Sequence, residues 1–238
     1  MAGNIIGLLL SWLVLWLTER KSLLALGFTP VFKRVFQFLL GFLFSGLLCA
    51  SLQLFEAWLT NSYWYLNSKI TFSQISGYLL WNFNSVVFEE LLFRGALLYI
   101  AIKRLGPKKG VILSAICFGI YHWFSFSVLG NIIPMIFVFI ITGLMGYAWA
   151  FAFKSTGSMA LPVGLHFGWN FVFNAIFSKG FVATPVLILE RSSSYAPLEG
   201  SLSIANSLLQ NILPSILTLL LLKFFSVKPI IIFSKHQK

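Results

Sequence analysis

Apolar residues fill most of the chain in long runs, and polar residues separate one run from the next. Runs of roughly 18 or more apolar residues are long enough to cross a bilayer as α-helices, and about seven are present. They cover residues 4–18, 36–60, 77–102, 109–127, 131–153, 157–178 and 203–224. The pattern predicts an all-α bundle of transmembrane helices, with residues 1–238 forming a single transmembrane domain. The longest connection, residues 179–202, is expected to be a flexible outer loop.

Composition supports a membrane protein, since 58% of the residues are apolar, 10% are charged and the mean hydropathy is +0.89. The net charge of +11 does not indicate a nucleic-acid-binding protein, because the basic residues cluster at alternate ends of the apolar runs. We therefore expect an integral, multi-pass membrane protein, in contact with lipid and not with nucleic acid, and the short compact chain favours a bacterial cell membrane.

The basic residues also predict an orientation. One side of the predicted bundle carries thirteen of the 17 Lys and Arg, namely Arg20, Lys21, Lys33, Arg34, Lys103, Arg104, Lys108, Lys109, Lys154, Lys223, Lys228, Lys235 and Lys238. The other side carries only Lys69, Lys179 and Arg191. Because cytoplasmic loops are rich in Lys and Arg, the N-terminus is predicted outside and the C-terminus in the cytoplasm.

Three ionisable residues interrupt the third apolar run, in the segment EELLFR. A charged group near the centre of a membrane helix costs roughly 2.5–3.5 kcal/mol, so these side chains should face other helices or a wet cavity. Glu90 and Arg94 lie four residues apart, in the order that favours an ion pair on one helix face. Glu89 points about 100° away from Glu90 and needs a partner from a second helix.

The candidates for that partner are few. All six acidic residues are Glu, and of the three His only His122 and His166 lie in apolar runs, since His236 is in the tail. Phe118 precedes His122 by four residues and Asn170 follows His166 by four, so each pair shares a helix face. At 1.5 Å per residue, the polar groups of these runs lie about 14–20 Å from the predicted cytoplasmic ends, in one layer.

These residues resemble the CPBP intramembrane proteases, a family also called Abi or the type II CAAX prenyl endopeptidases. The three motifs of that family read here as Glu-Glu-x-x-x-Arg in EELLFR, Phe-x-x-x-His in FGIYH and His-x-x-x-Asn in HFGWN. They occur in the family's order and on separate predicted helices, within a motif-bearing core at about 77–178.

The resemblance implies hydrolysis of a peptide bond in a membrane-embedded peptide or protein. Glu89 would be the general base that activates water, and His122 would orient the water or share the proton transfer. His166 and Asn170 would stabilise the oxyanion, while Glu90 and Arg94 would support the site. A second version makes Glu89, His122 and His166 ligands of a catalytic zinc ion. The absence of a His-Glu-x-x-His segment favours the metal-free version.

Other intramembrane proteases do not fit the sequence. The lack of Asp excludes an aspartyl dyad, and the chain has neither a His-Glu-x-x-His segment nor a Gly-x-Ser-x-Gly-like segment paired with a His. Two other functions stay open: a non-catalytic peptide-binding or immunity protein of the same fold, and a proton-coupled transporter. The transporter is disfavoured because the two halves show no repeat.

Replacing one carboxylate oxygen of Glu89 by an amide nitrogen tests whether the protein is a catalyst or a peptide-binding protein. We predict that Glu89→Gln abolishes function at an unchanged protein level, because the amide has the shape of the carboxylate but cannot accept a proton at neutral pH. Function and protein level are measured together in cells that express each variant. A peptide-binding protein should tolerate the change, so retained function would contradict the catalytic interpretation.

Overall fold

A computed structural model describes residues 2–179 and 185–224 of the chain and is predominantly helical, as the apolar runs predict. Its helices are α1 (Ala2–Glu19), α2 (Val31–Leu59), α3 (Phe72–Arg94), α4 (Ala96–Leu105), α5 (Pro107–Ser125), α6 (Ile132–Thr156), α7 (Ala160–Phe171) and α8 (Gly200–Phe224). A 3₁₀ turn at Leu23–Leu26 follows α1, and a π turn at Val172–Ile176 continues α7. The tail residues named above lie outside the described part: Lys228, Lys235, His236 and Lys238.

The prediction of one continuous helix over residues 77–102 is wrong. The run begins earlier, in α3 at Phe72, and breaks at Gly95, where ψ is −135° and the chain turns into α4. A Cβ atom at Gly95 would lie 2.2 Å from the carbonyl oxygen of Leu91, so only glycine permits this break. The ten residues of α4 span about 15 Å, which is too short to cross a bilayer.

The connection predicted as a flexible loop contains a strand, which adds a small sheet to the helices. The strand β1 (Ser62–Leu66) pairs antiparallel with β2 (Leu187–Arg191). Alternating Tyr and Trp residues in SYWYL favour an extended strand. The indole of Trp64 donates to the carbonyl of Gln53 in α2, and its ring packs edge-on against Phe177. The sheet is thereby fixed to one end of the helices.

Three of the described helices are long and apolar enough to cross a membrane: α2, α6 and α8. Large apolar side chains cover the outer faces of the helices, for example Leu9, Trp16, Leu47, Ile133, Ile140 and Leu220. The interior contains fully buried charged side chains, Glu90 and Arg94 among them. This distribution is typical of a protein whose solvent is lipid. The seven crossings and their direction stay predictions.

Helix ends with basic residues meet at one end of the molecule, opposite the sheet. Lys103 and Arg104 of α4 both contact Glu19 at the end of α1, and the hydrogen bond from Lys103 lowers the pKa of the Glu19 carboxyl. Arg34 donates to the carbonyl of Thr156, and the hydroxyl of Ser158 donates to that of Gly27. We call this end the basic end.

Close contact between α2 and α7 determines where α7 sits. Gly164 and Gly168 form a Gly-x-x-x-Gly stripe on α7 that lies against α2. A Cβ atom at either position would lie 2.2 Å from a backbone oxygen of α2, that of Phe38 or that of Phe42. The two helices therefore touch backbone to backbone, and α7 is held at a fixed height against α2.

We predict that Gly164→Ala lowers the free energy of unfolding by about 1–3 kcal/mol, because the backbone of α2 must move to make room for the methyl group. Thermal unfolding of the purified protein in detergent measures the change. Gly77→Ala in α3 is the matched control, since no atom lies within 4 Å of its Cβ position. At Gly77 the higher helix propensity of alanine should raise the free energy of unfolding by roughly 0.5–1 kcal/mol. Equal effects of the two substitutions would contradict close packing at Gly164.

Candidate active site

The last turns of α3 present a buried ion pair. Arg94 Nη1 lies 3.2 Å from Glu90 Oε1, and both side chains are completely buried. Arg94 Nη2 also donates to the carbonyl oxygen of Gly146 in α6 at 3.3 Å. The pairing predicted from the four-residue spacing is confirmed. A charge pair out of reach of water needs such additional hydrogen bonds to offset the cost of desolvation.

Aromatic rings enclose the guanidinium of Arg94. Its Cζ atom lies 4.1 Å from the centre of the Phe118 ring and 5.3 Å from that of Trp149. Cation–π attraction at these distances adds to the ion pair. Phe118 also contacts the rings of His122 and His166, with centroid distances of 4.4 and 6.1 Å. It lies at the centre of the cluster.

Glu90 has a second partner that the sequence analysis did not predict. His166 Nδ1 of α7 lies 2.9 Å from Glu90 Oε1, so this oxygen is shared between His166 and the ion pair with Arg94. Because a carboxylate can only accept, Nδ1 of His166 carries a hydrogen. In a neutral imidazole the other nitrogen, Nε2, is then an acceptor. The bond links α3 to α7 in the protein interior.

The Nε2 atom of His166 lies beside the other two predicted site residues. Asn170 Nδ2 donates to it at 3.1 Å, and Glu89 Oε2 lies 3.8 Å away. The Asn170 amide keeps a second hydrogen for another acceptor. Arg94, Glu90, His166 and Asn170 thus form one continuous polar chain across α3 and α7, with Glu89 next to its end.

Trp149 of α6 covers one face of His166, with ring centroids 3.9 Å apart and an interplanar angle of 20°. Trp149 is 4% exposed and is a site residue that sequence reasoning missed. It lies in an apolar run in a chain with 8 Trp and 26 Phe, so the sequence contains no signal that distinguishes it. The stacking fixes the plane of the imidazole, which its two hydrogen bonds alone leave free to tilt.

His122 joins the cluster through ring contacts. Its Nδ1 atom donates to the carbonyl of Phe118 one turn earlier, at 2.8 Å, and leaves Nε2 as the acceptor of the neutral ring. Phe126 flanks the ring at a centroid distance of 5.4 Å. Within the described residues no hydrogen bond or ion pair joins His122 to Glu89, His166 or Asn170. The backbone carbonyl holds the imidazole in one tautomer.

Two carboxylate oxygens of the site are buried and unpaired. Glu89 Oε2 and Glu90 Oε2 have no hydrogen-bond partner among the described residues. The Glu89 side chain is 12% exposed, whereas that of Glu90 is fully enclosed. Glu89 is therefore the more accessible carboxylate of this pair, and the lone pairs of its unpaired oxygen can accept a proton.

The described residues form no preassembled zinc site. Zinc needs three protein donors at about 2.0–2.2 Å from one point. Nδ1 of His166 and Nδ1 of His122 each hold a hydrogen bond, which leaves Nε2 as the nitrogen that could bind a metal, and Nε2 of His166 already accepts from the Asn170 amide. Across residues 2–179 and 185–224, no three His, Cys, Asp or Glu side chains are grouped so that they could hold a metal ion.

We predict that Arg94→Met lowers the free energy of unfolding by about 3–5 kcal/mol, because Glu90 is left as an uncompensated buried charge. The double variant Glu90→Gln/Arg94→Met should recover part of the loss, since both charges are removed together. The control is Lys179→Met, which breaks a solvent-exposed ion pair with Glu56 and should cost less than about 1 kcal/mol. Thermal unfolding in detergent measures all three. A loss for Arg94→Met no larger than that for Lys179→Met would contradict this account.

Comparison with known protein families supplies one match, over residues 71–172, to the type II CAAX prenyl endopeptidase Rce1-like family. The resemblance predicted from the three motifs is confirmed over this segment, which contains all the polar residues of the site. Neither the curated proteins nor the solved structures compared with the chain give a match.

Proposed function

With residues 71–172 matching the Rce1-like type II CAAX prenyl endopeptidases, we propose that the protein is an integral membrane endopeptidase. Its substrate would be a membrane-associated peptide or protein tail. The observation that carries the proposal is the polar chain from Arg94 to Asn170, which lies beside Glu89 and its unpaired Oε2. Structural needs alone do not explain a second carboxylate, with an unpaired oxygen, next to a buried ion pair, because each buried charge is costly.

Glu89 acts as the general base. Its carboxylate takes a proton from a water molecule as the water oxygen bonds to the scissile carbonyl carbon. When the carbon–nitrogen bond breaks, the protonated Glu89 returns that proton to the leaving amine. Position favours Glu89 over Glu90, because only Glu89 is partly accessible and Glu90 Oε1 is already engaged by Arg94 and His166.

Asn170 and His166 stabilise the oxyanion. The free N–H of Asn170 can donate to the developing negative charge, and a donor of this kind contributes about 10²–10³-fold in rate in related chemistry. The bond to Glu90 fixes the hydrogen of neutral His166 on Nδ1, so His166 donates from Nε2 only when the ring is protonated. In its neutral form it orients the Asn170 amide instead.

His122 orients the attacking water. Its Nδ1 atom is occupied by the Phe118 carbonyl, so Nε2 is the nitrogen that can accept a hydrogen bond from water. This role requires only that the hydrogen of the neutral imidazole is on Nδ1, and the hydrogen bond to the Phe118 carbonyl keeps it there.

We also propose seven membrane crossings, with the N-terminus outside, in a bacterial cell membrane. The basic end supports this topology, because contacts join the ends of α1, α2, α4 and α6, to which the positive-inside rule assigns one side.

The test is cleavage by purified protein in detergent. The probes are a farnesylated peptide ending in Cys-aliphatic-aliphatic-X, which the family description suggests, and a library of membrane peptides. We predict that Glu89→Ala and His166→Ala each lower the cleavage rate by at least about 10²-fold, because they remove proton transfer and oxyanion support. Glu56→Ala is the matched control, since Glu56 is a partly exposed glutamate of α2 paired with Lys179; this variant should cleave at the wild-type rate.

Addition of a strong chelator to the same assay distinguishes the metal-free mechanism from the zinc-dependent one. The metal-free mechanism predicts no change, whereas a reversible loss that zinc restores would support the zinc version. Failure of folded, monodisperse wild-type protein to cleave any probe would favour peptide binding without catalysis.

A further inference from the structure

A second polar cross-link joins α3 to the end of α7, away from the site itself. Asn174 Nδ2 donates to Asn82 Oδ1 at 3.0 Å. Asn82 is only 2% exposed, and its own Nδ2 donates to the carbonyl of Tyr78 at 2.8 Å. A buried and a partly buried amide within an apolar bundle cost desolvation, which such mutual hydrogen bonds offset. Neither residue belongs to the motifs or to the polar chain described above.

The two cross-links have the same spacing on both segments. Asn82 lies eight residues before Glu90, and Asn174 lies eight residues after His166. In antiparallel helices an equal spacing places the two bonds at opposite ends of one seam, about 12 Å apart. The residues midway along this seam are Val86, which is completely buried, and Asn170. Asn170 therefore lies between the Glu90–His166 bond at one end of the seam and the Asn82–Asn174 bond at the other.

The bond between Asn82 and Asn174 is needed because the backbone changes from α-helix to π turn next to it. Regular α-helix ends at Phe171, and Asn174 lies in the π turn Val172–Ile176 that follows. A π turn lacks the regular hydrogen-bond ladder and changes the direction of neighbouring side chains. Within the described residues, two hydrogen bonds join this turn to other segments: Val186 N donates to the carbonyl of Ala175, and Asn174 donates to Asn82. Movement of the turn would rotate the last turn of α7, which carries Asn170.

We propose that Asn82 is a positioning residue for the active site: through Asn174 it holds the π turn, and with it the direction of the Asn170 amide. The inference rests on the proposed function, since it assigns Asn82 an effect on the reaction. Asn82 touches neither Glu89 nor His166 through a hydrogen bond in the described structure. It acts only through the geometry of the α3–α7 seam.

The chain contains a closely matched control two residues away. Asn84 Oδ1 accepts from Asn4 Nδ2 of α1 at 3.0 Å, and Asn84 Nδ2 donates to the carbonyl of Leu80 at 2.7 Å. Asn84 thus makes the same two kinds of bond from the same part of α3, but toward α1. If the loss of any interhelical amide bond lowered the rate, Asn82→Ala and Asn84→Ala would both be slower. If the rate depends on the position of Asn170, only Asn82→Ala is slower.

The kinetic test compares kcat and KM for the farnesylated peptide across Asn82→Ala, Asn174→Ala, their double variant and Asn84→Ala. We expect kcat to fall about tenfold or more in either single variant of the seam, since small misplacements of a catalytic group cost this much. KM should change less than about twofold. The double variant should be no slower than the worse single variant, because both remove one bond. Asn84→Ala should keep the wild-type kcat.

An exchange measurement checks the same bond without relying on activity. Hydrogen exchange followed by mass spectrometry should show faster exchange at 172–176 in Asn82→Ala and Asn174→Ala, and no change there in Asn84→Ala. Asn174→Ala keeps the test decisive if Asn82→Ala does not fold, because Asn174 is only partly buried. Unchanged exchange in the seam variants, or an equal fall in kcat for Asn84→Ala, would overturn the proposal.

The two readouts separate this inference from the proposed function. Wild-type protein without cleavage, or a Glu89→Gln variant as fast as wild type, would overturn the proposed function and the catalytic effect of Asn82 with it. Normal dependence on Glu89 together with wild-type kcat in Asn82→Ala would overturn the positioning role alone.

Discussion

The buried ion pair of Glu90 with Arg94 is the constraint on which the rest of the interior depends. Two charges that cannot reach solvent must satisfy each other and find further partners within the protein. Each additional partner comes from a different helix: the Gly146 carbonyl from α6, the Phe118 ring from α5 and His166 from α7. The need to satisfy one pair therefore brings together the helices that carry the candidate active site.

This dependence explains why the two neighbouring glutamates differ. Glu90 is enclosed and shared between a cation and an imidazole, so its oxygen atoms have little freedom to react. Glu89 lies one position away on the helix, about 100° around its axis, and stays partly accessible. Adjacent identical residues obtain different environments from helix geometry alone. The same contacts fix the tautomer of His166, because the hydrogen on its Nδ1 atom belongs to the bond with Glu90.

Sequence reasoning located the helices and the i,i+4 pairs well, because both depend on periodicity along one segment. It predicted the Glu90–Arg94 pair and identified His166 and Asn170 as neighbours on one face. It could not predict contacts that depend on the packing of segments far apart in sequence. Trp149 against His166 is one example and Asn174 against Asn82 is another, since Trp and Asn in apolar runs have many uses. The break at Gly95 escaped detection because hydropathy is continuous across it, and only the backbone distance to Leu91 shows why glycine is required.

The glycine stripe of α7 has a consequence for how the membrane acts on the site. Because α7 is fixed backbone to backbone against α2, the depth of His166 and Asn170 in the bilayer is coupled to the position of α2. The 29 residues of α2 extend about 44 Å, which exceeds the hydrocarbon thickness of about 30 Å, so tilting is one way for this helix to match its lipid. A thinner or thicker bilayer changes that tilt, and α7 moves with it. Hydrophobic mismatch at one helix is thereby converted into a displacement of the polar groups beside Glu89.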